Sequence, residues 1–214
     1  MAIPLTSKRF KLADSAEAVY ELACRQGWTD GLPIIPPTPE RVEKMLSTVA
    51  GPPQEVVAVL PPAYAEATLE KIAISAEMAG CLPSYFPVVV AAVQAIADPA
   101  FELEAVQTTT NPVAVMLVIN GPIRKELDVN CGVGCLGPGW RANATIGRAI
   151  RLIQLNIGGS VPQGVSQSSQ GQPGRYTMCV GEYEEKSPWM PLHVERGFRA
   201  DQSTVTVFQP TGTS

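Results

Sequence analysis

The sequence predicts a single α/β or α+β domain, a mixed sheet with about five helices, one of them buried on every side. Three observations carry this. Apolar residues recur at helical spacing in several separate stretches. Short β-branched runs bounded by glycine or proline lie between them. No repeat, linker or shift of composition divides the 214 residues, a length that one core can serve.

In chain order, residues 1–12 read as an N-terminal arm. Asp14 is placed to cap a helix running to about Arg25, with Val19, Leu22 and Ala23 inward and Gly27 as its stop. Prolines then hold Trp28-Thr29-Asp30-Gly31-Leu32-Pro33 and its continuation to Pro37 extended, as a strap over the core or a neighbouring subunit. A second helix is expected from Thr38, a hydroxyl cap followed by Pro39 and Glu40, to about Val49. Residues 55–60 are expected as a strand. Residues 66–80 are expected as an amphipathic helix with Leu69, Ile72, Ala73, Ala76 and Ala79 on its inner stripe. Residues 86–98 are apolar almost all round, the pattern of a buried helix. Residues 102–108 and 113–119 are β-like. Residues 142–157 are expected as a helix, with Ile146, Ala149, Ile150, Ile153 and Ile157 at helical spacing. Residues 158–174, rich in glycine, serine and glutamine, read as a long loop, and residues 176–181 and 204–209 as strands.

Composition narrows the function classes. Apolar residues make up 45% and charged residues 17%, an apolar surplus that predicts a homo-oligomer. The net charge is −4 and no block of lysine and arginine occurs, which argues against nucleic acid and against anionic membrane surfaces as partners. The longest apolar run, residues 87–97, falls short of the roughly 20 residues of a spanning helix. The first ten residues lack the apolar stretch of a signal peptide, and five scattered cysteines read as reduced thiols, so the expected location is cytoplasmic.

The candidate functional centre is the run from Asn130 to Arg141, which follows a strand and a polar turn and opens a helix. Its glycines permit backbone conformations that other residues hold only at a cost. A helix start presents free N–H groups and a positive dipole end, suited to a phosphate or carboxylate. Asn130, Gly132, Gly134, Gly137, Arg141 and Asn143 are the candidate substrate-binding residues, with Arg141 as a bidentate anion clamp. Arg141, Arg148 and Arg151 share one helix face by spacing. Cys131 and Cys135 are candidate nucleophiles, since a helix dipole and a guanidinium favour the thiolate. The same run also reads as a plain strand-to-helix turn with both cysteines buried as small hydrophobes. It matches neither GxGxxG nor GxxxxGK[ST], so no nucleotide is implied and the cofactor stays unknown.

His193 is the only histidine and is the candidate acid/base, although a lone histidine is also a common structural residue. Glu195 and Arg196 beside it read equally as an ion pair at a subunit edge. Cys131 and Cys135 have CxxxC spacing, and Cys81, Cys179 or His193 would complete a thiolate-rich metal site. No second CxxC supports that, and no metal ligand is assigned. No GxSxG elbow supports serine catalysis. Glu77 and Cys81, one helical turn apart near a helix C-terminus, read as structural.

On Trp28–Pro33, on Met78-Ala79-Gly80-Cys81 ahead of Tyr85-Phe86-Pro87-Val88, and on residues 134–149, the chain resembles a family of bacterial proteins of unassigned reaction. The family's marks are a W-[ST]-D-G-L-P segment and a G-L-G-P-G…R-A-N-A-T-I-G-R-A block, and the tail at residues 188–198 is similar to it too. The resemblance implies association with proteins carrying a UGSC or TGSC (seleno)cysteine motif, hence thiol or selenol chemistry. This chain has no Gly-Ser-Cys of its own. Three readings follow: an enzyme or enzyme subunit using a cysteine thiolate on a small anionic substrate in redox or lyase chemistry; a thiolate-rich metal-binding protein; or a non-catalytic scaffold subunit of a hetero-oligomer.

Overall fold

The computed structural model describes residues 4–212; residues 1–3 of the expected arm and residues 213–214 lie outside the described residues. Local signals set most helix ends. α1 (Ala16–Gln26) is capped by Ser15, whose Oγ accepts from the Ala18 N–H at 3.2 Å, so the cap is Ser15 and not Asp14; left-handed Gly27 closes the helix. α2 (Pro39–Leu46) starts at Pro39 and stops short of the expected Val49. β1 (Val56–Leu60) pairs antiparallel with β2 (Ala65–Thr68). Residues 66–68 were expected in a helix, but they finish this hairpin. The helix begins where Thr68 caps α3 (Leu69–Ala79), its Oγ1 accepting from the Lys71 N–H at 3.3 Å.

α4 (Phe86–Ala97) follows, then α5 (Leu103–Thr108), β3 (Met116–Asn120), α6 (Ile123–Glu126), α7 (Arg141–Asn156), β4 (Cys179–Gly181), α8 (Leu192–Glu195) and β5 (Thr204–Phe208). Residues 103–108 form a helix where a strand was expected. Glu102 turns left-handed at φ 51°, and Leu103, Val106 and Gln107 are buried at helical rather than alternating spacing. The described residues thus hold eight α-helices rather than about five, the extra ones being α5, α6 and α8, none longer than six residues.

The fold is α+β in one domain, with β1–β2 as a separate hairpin and a mixed three-stranded sheet in the order β4-β3-β5. β3 runs parallel to β4, with Leu117 opposite Cys179 and Ile119 opposite Gly181, and antiparallel to β5. α4 packs against β1, β5, α3 and α7, and so fills the space between the two sheets. Phe86, Val88, Val89, Ala92, Val93 and Ile96 are buried on it, each large side chain contributing about 1.5–3 kcal/mol by leaving water. Its burial is not complete, because Gln94 is exposed and Val90 and Ala91 are half-buried. No single helix among the described residues is long and apolar enough to cross a membrane.

The arm is fastened down. The buried carboxylate of Glu70, in the first turn of α3, accepts from the Thr6 and Ser7 N–H groups at 3.0 and 2.7 Å and from the Thr6 hydroxyl at 3.0 Å. Farther along, the Phe10 ring meets Trp28 edge-on with centroids 5.2 Å apart.

Candidate functional site

β3, α7 and β4 make a parallel strand-helix-strand unit, so the connection leaving β3 must emerge at the carboxyl ends of both strands before α7 returns. Side chains at such ends converge on the crevice where open sheets bind ligands. The loop at residues 130–141 is part of this connection. The Gly181 N–H donates to the Asn130 carbonyl at 3.1 Å, stitching the loop to the end of β4.

Two asparagines spend their polar atoms on the shape of the loop. The buried Asn143 amide accepts from the Asn130 N–H at 2.8 Å and donates to the Asn130 and Cys135 carbonyls at 2.9 and 3.3 Å. Asn130 Oδ1 accepts from the Gly132 N–H at 2.9 Å, and its amide donates to the Val133 carbonyl at 3.1 Å. Gly134 and Gly139 stand at φ 72° and 124°, where only glycine sits without strain, whereas Gly132 and Gly137 do not need a left-handed backbone.

Arg141 has its fork on protein. Nε and Nη2 both donate to the Gly80 carbonyl, at 3.1 and 2.9 Å, tying the start of α7 to the end of α3. The helical face expected to carry three arginines does so, but each has a separate partner. Arg148 grips Asp30 and also donates to the Leu32 and Pro33 carbonyls at 3.2 and 2.9 Å, while Arg151 lies against Ser160 at the far end.

Cys131 has a cation that sequence reasoning missed. Arg124, on α6, is 3% exposed and places Nη1 3.6 Å from Cys131 Sγ. Gly181 makes this approach possible, because a Cβ there would stand 3.1 Å from both Arg124 Cδ and Cys131 Cβ. The guanidinium also donates to the Glu182 carbonyl at 2.7 Å and pairs with Glu184 at 2.8 Å and Glu185 at 3.1 Å; Lys125 meets Glu185 at 2.7 Å. Burial would lower its pKa, but the bond to Glu185 and the charge of Glu184 more than offset this and raise it. Bonds from Arg124 and Lys125 hold the Glu185 carboxyl down to about 2. The Glu184 carboxyl is also lowered: burial opposes this, and the Gly121 N–H, Asn120 and Arg124 win.

His193 joins the same network. It is 1% exposed on α8, with Nδ1 4.0 Å from Glu184 Oε1. Glu182 accepts from the Leu192 N–H at 2.8 Å, fixing α8 to the strand end, and the buried Asn120 amide donates to Glu182 and Glu184. Thus Cys131 and His193, 62 residues apart in number (193 − 131), are linked through Arg124 and Glu184. Buried polar atoms left without a hydrogen-bond partner among the described residues concentrate here: Asn120 Oδ1, Arg124 Nε and both ring nitrogens of His193.

Cys135 is half-buried on the same loop, and Cys24 is exposed on α1. Cys81 and Cys179 are buried. Burial pushes the Cys81 thiol up to about 12, against a bond to the Thr145 carbonyl at 3.3 Å, and burial raises Cys179 as well. Among the described residues, no three of the histidine, cysteine and acidic side chains are grouped to hold a metal ion. Residues 130–141 line neither of the two cavities that border Arg151 at the other end of α7.

The signal for Arg124 and its acids was present but dispersed. Glu182, Glu184 and Glu185 follow the end of a strand directly, and Arg124 follows the Gly121-Pro122 break after another. Only the parallel pairing of the two strands brings these ends together. No family model, curated protein or solved structure matches this chain.

Proposed function

We propose that the chain is an enzyme, or a subunit of one, whose reacting group is the Cys131 thiol, acting on a small anionic substrate in redox or lyase chemistry. The observation that carries the reading is the Arg124 guanidinium 3.6 Å from Cys131 Sγ at the carboxyl ends of two parallel strands. Arg124 takes the electrostatic role first expected of Arg141, whose fork is spent on Gly80. Arg124 Nε, buried and without a partner among the described residues, leaves one guanidinium N–H unspent beside the thiol. Glu184 and Glu185 offset most of its charge, so recognition rests on directed hydrogen bonds more than on net charge. His193, set against Glu184, is the group in this network suited to carry a proton.

The site works in a homo-oligomer in this reading, because Val133 and Trp189 are 97% and 79% exposed and are natural contacts for another subunit. A (seleno)cysteine-bearing partner would supply the second reacting centre that the resemblance implies, in a cytoplasm that keeps all five cysteines as thiols. The test is iodoacetamide labelling of the folded protein at neutral pH, read by peptide mass spectrometry. Cys131 reacts faster than Cys24, the exposed helix thiol that serves as internal reference. A Cys131 that reacts no faster than Cys24 at any pH from 6 to 9 sinks the reading.

A further inference from the structure

α7 has a second arginine site at its other end. Arg151 lies ten residues beyond Arg141, about 15 Å along the helix axis, and there it meets Arg175. The two border a cleft of about 890 Å³ between α7 and the long loop, within the range of small-molecule sites.

Among the described residues Arg41 pairs with Glu77, Arg124 with Glu184 and Glu185, Arg148 with Asp30 and Arg199 with Asp201, and of the arginines without a carboxylate Arg9, Arg25, Arg141 and Arg196 are exposed while Arg151 and Arg175 are half-buried. Arg151 and Arg175 have none within 4.0 Å among the described residues. Asp30 also borders the cleft, but both its oxygens are held by Arg148 at 2.8 Å. Arg151 finds only long contacts to Ser160, 3.5 Å to Oγ and 3.3 Å to the carbonyl. Arg175 donates through Nη2 to Ser166 Oγ at 2.8 Å.

Two half-buried like charges side by side disfavour each other. Burial first, and Arg175 next, bring the Arg151 pKa down to about 10, which still leaves it a cation at neutral pH. In a chain of net charge −4, the one carboxylate bordering this cleft is Asp30, and Arg148 already pairs with it, so the two guanidiniums outnumber the negative charge left to them. Two buried polar atoms nearby lack partners and suit ligand hydroxyls: Gln107 Oε1, an acceptor bordering the small inner pocket beside Arg151, and Ser168 Oγ, bordering the outer cleft. Most of the remaining wall is hydroxyl and amide, with Leu155, Pro162, Pro173 and the Tyr176 ring as its apolar part.

We propose that this cleft binds the oxyanion of a small hydroxyl-bearing metabolite, a phosphate or a carboxylate, with Arg151 and Arg175 as its two-guanidinium clamp. The polar wall supplies partners for the hydroxyls of the ligand, and the clamp supplies the charge that two arginines otherwise lack. This site is separate from Cys131 and does not depend on the thiol reading.

The experiment is a titration of the full chain, followed by thermal shift and calorimetry. One arm uses inorganic phosphate and ribose 5-phosphate; the other uses acetate and gluconate. The expected result is saturable stabilisation by the members of one arm, with the hydroxylated member binding tighter. Arg175→Gln and Arg151→Gln should each weaken it about tenfold or more, while Cys131→Ser leaves it unchanged. Because a variant at half-buried Arg151 risks misfolding, phenylglyoxal modification of the wild type gives a second reading. The same ligand should protect Arg151 and Arg175 from the reagent while exposed Arg9 stays reactive. No stabilisation by either arm overturns the proposal, and so does binding that both variants retain or that leaves Arg151 and Arg175 unprotected.

Discussion

Arg148 reaches back 118 residues to Asp30 and holds it with its planar fork, Nε to Oδ2 and Nη2 to Oδ1, both at 2.8 Å. The Asp30 side chain is 3% exposed, so the pair fastens the proline-rich strap to α7 largely shielded from water. Burial alone would raise the Asp30 carboxyl, but the bonds and charge of Arg148 outweigh it and hold the carboxyl low. Asp30→Asn leaves Arg148 buried and unpaired and should cost about 3 kcal/mol in urea unfolding. The pH dependence has a definite sign. A depressed carboxyl contributes fully above the unfolded value of about 4 and loses its contribution as pH falls through the folded value. Wild type should therefore lose stability as pH falls below about 4, and Asp30→Asn should show a flatter profile there.

The cysteines divide into two classes. Ellman's reagent at pH 8 should titrate Cys24, Cys131 and Cys135 in the folded protein. Cys81 and Cys179, whose thiolates are suppressed by burial, should react only after guanidinium unfolds the chain. Rapid reaction of all five thiols without denaturant would contradict the burial of Cys81 and Cys179.

Gly181→Ala tests the contact between Arg124 and Cys131 without touching either. The added Cβ must push both away from 3.1 Å, at a cost of about 1–2 kcal/mol. Denaturation should show that loss, and the alkylation rate of Cys131 should change while that of Cys24 does not. An unchanged Cys131 rate would mean the guanidinium has no influence on the thiol.

Arg141→Ala should lower stability by about 1 kcal/mol, since the Gly80 carbonyl loses its two guanidinium donors. Arg141→Lys should recover part of it. Neither phosphate nor a carboxylate should distinguish wild type from Arg141→Ala in melting experiments. Loss of anion stabilisation in that variant would return the clamp to Arg141.

Light scattering should give a mass above the 22.8 kDa of one chain, and Val133→Asp together with Trp189→Asp should reduce it. A clean monomer in the wild type at micromolar concentration would contradict the oligomer.

The sequence and the structure agree best where one local signal decides. Gly27 and Gly80 end their helices in the left-handed conformation, Pro39 begins one, and the isoleucines of α7 fall on its buried face. Agreement fails where two local patterns compete. Residues 66–68 stand in helical continuity with the stripe of α3 and were expected in that helix, yet cross-strand pairing with residues 56–59 claims them. Residues 103–108 contain β-formers, yet tertiary burial of Leu103, Val106 and Gln107 selects a helix. The loop at residues 130–141 was legible as a place, because glycines and cysteines crowd there. Its electrostatics were not, because the cation belongs to α6 and its acids follow β4, 58 to 61 residues away. The three arginines of α7 were legible as a face, but the partner of each depends on a different distant segment.

Glu70 also bears on the order in which the chain acquires its structure. The arm residues Thr6 and Ser7 emerge from the ribosome early, but the carboxylate that holds them is made more than sixty residues later. Until α3 forms and turns Glu70 inward, those N–H groups have only water. The arm, made before α3, therefore cannot close over the core until α3 has formed, and a chain in which α3 is unfolded carries an unfastened arm.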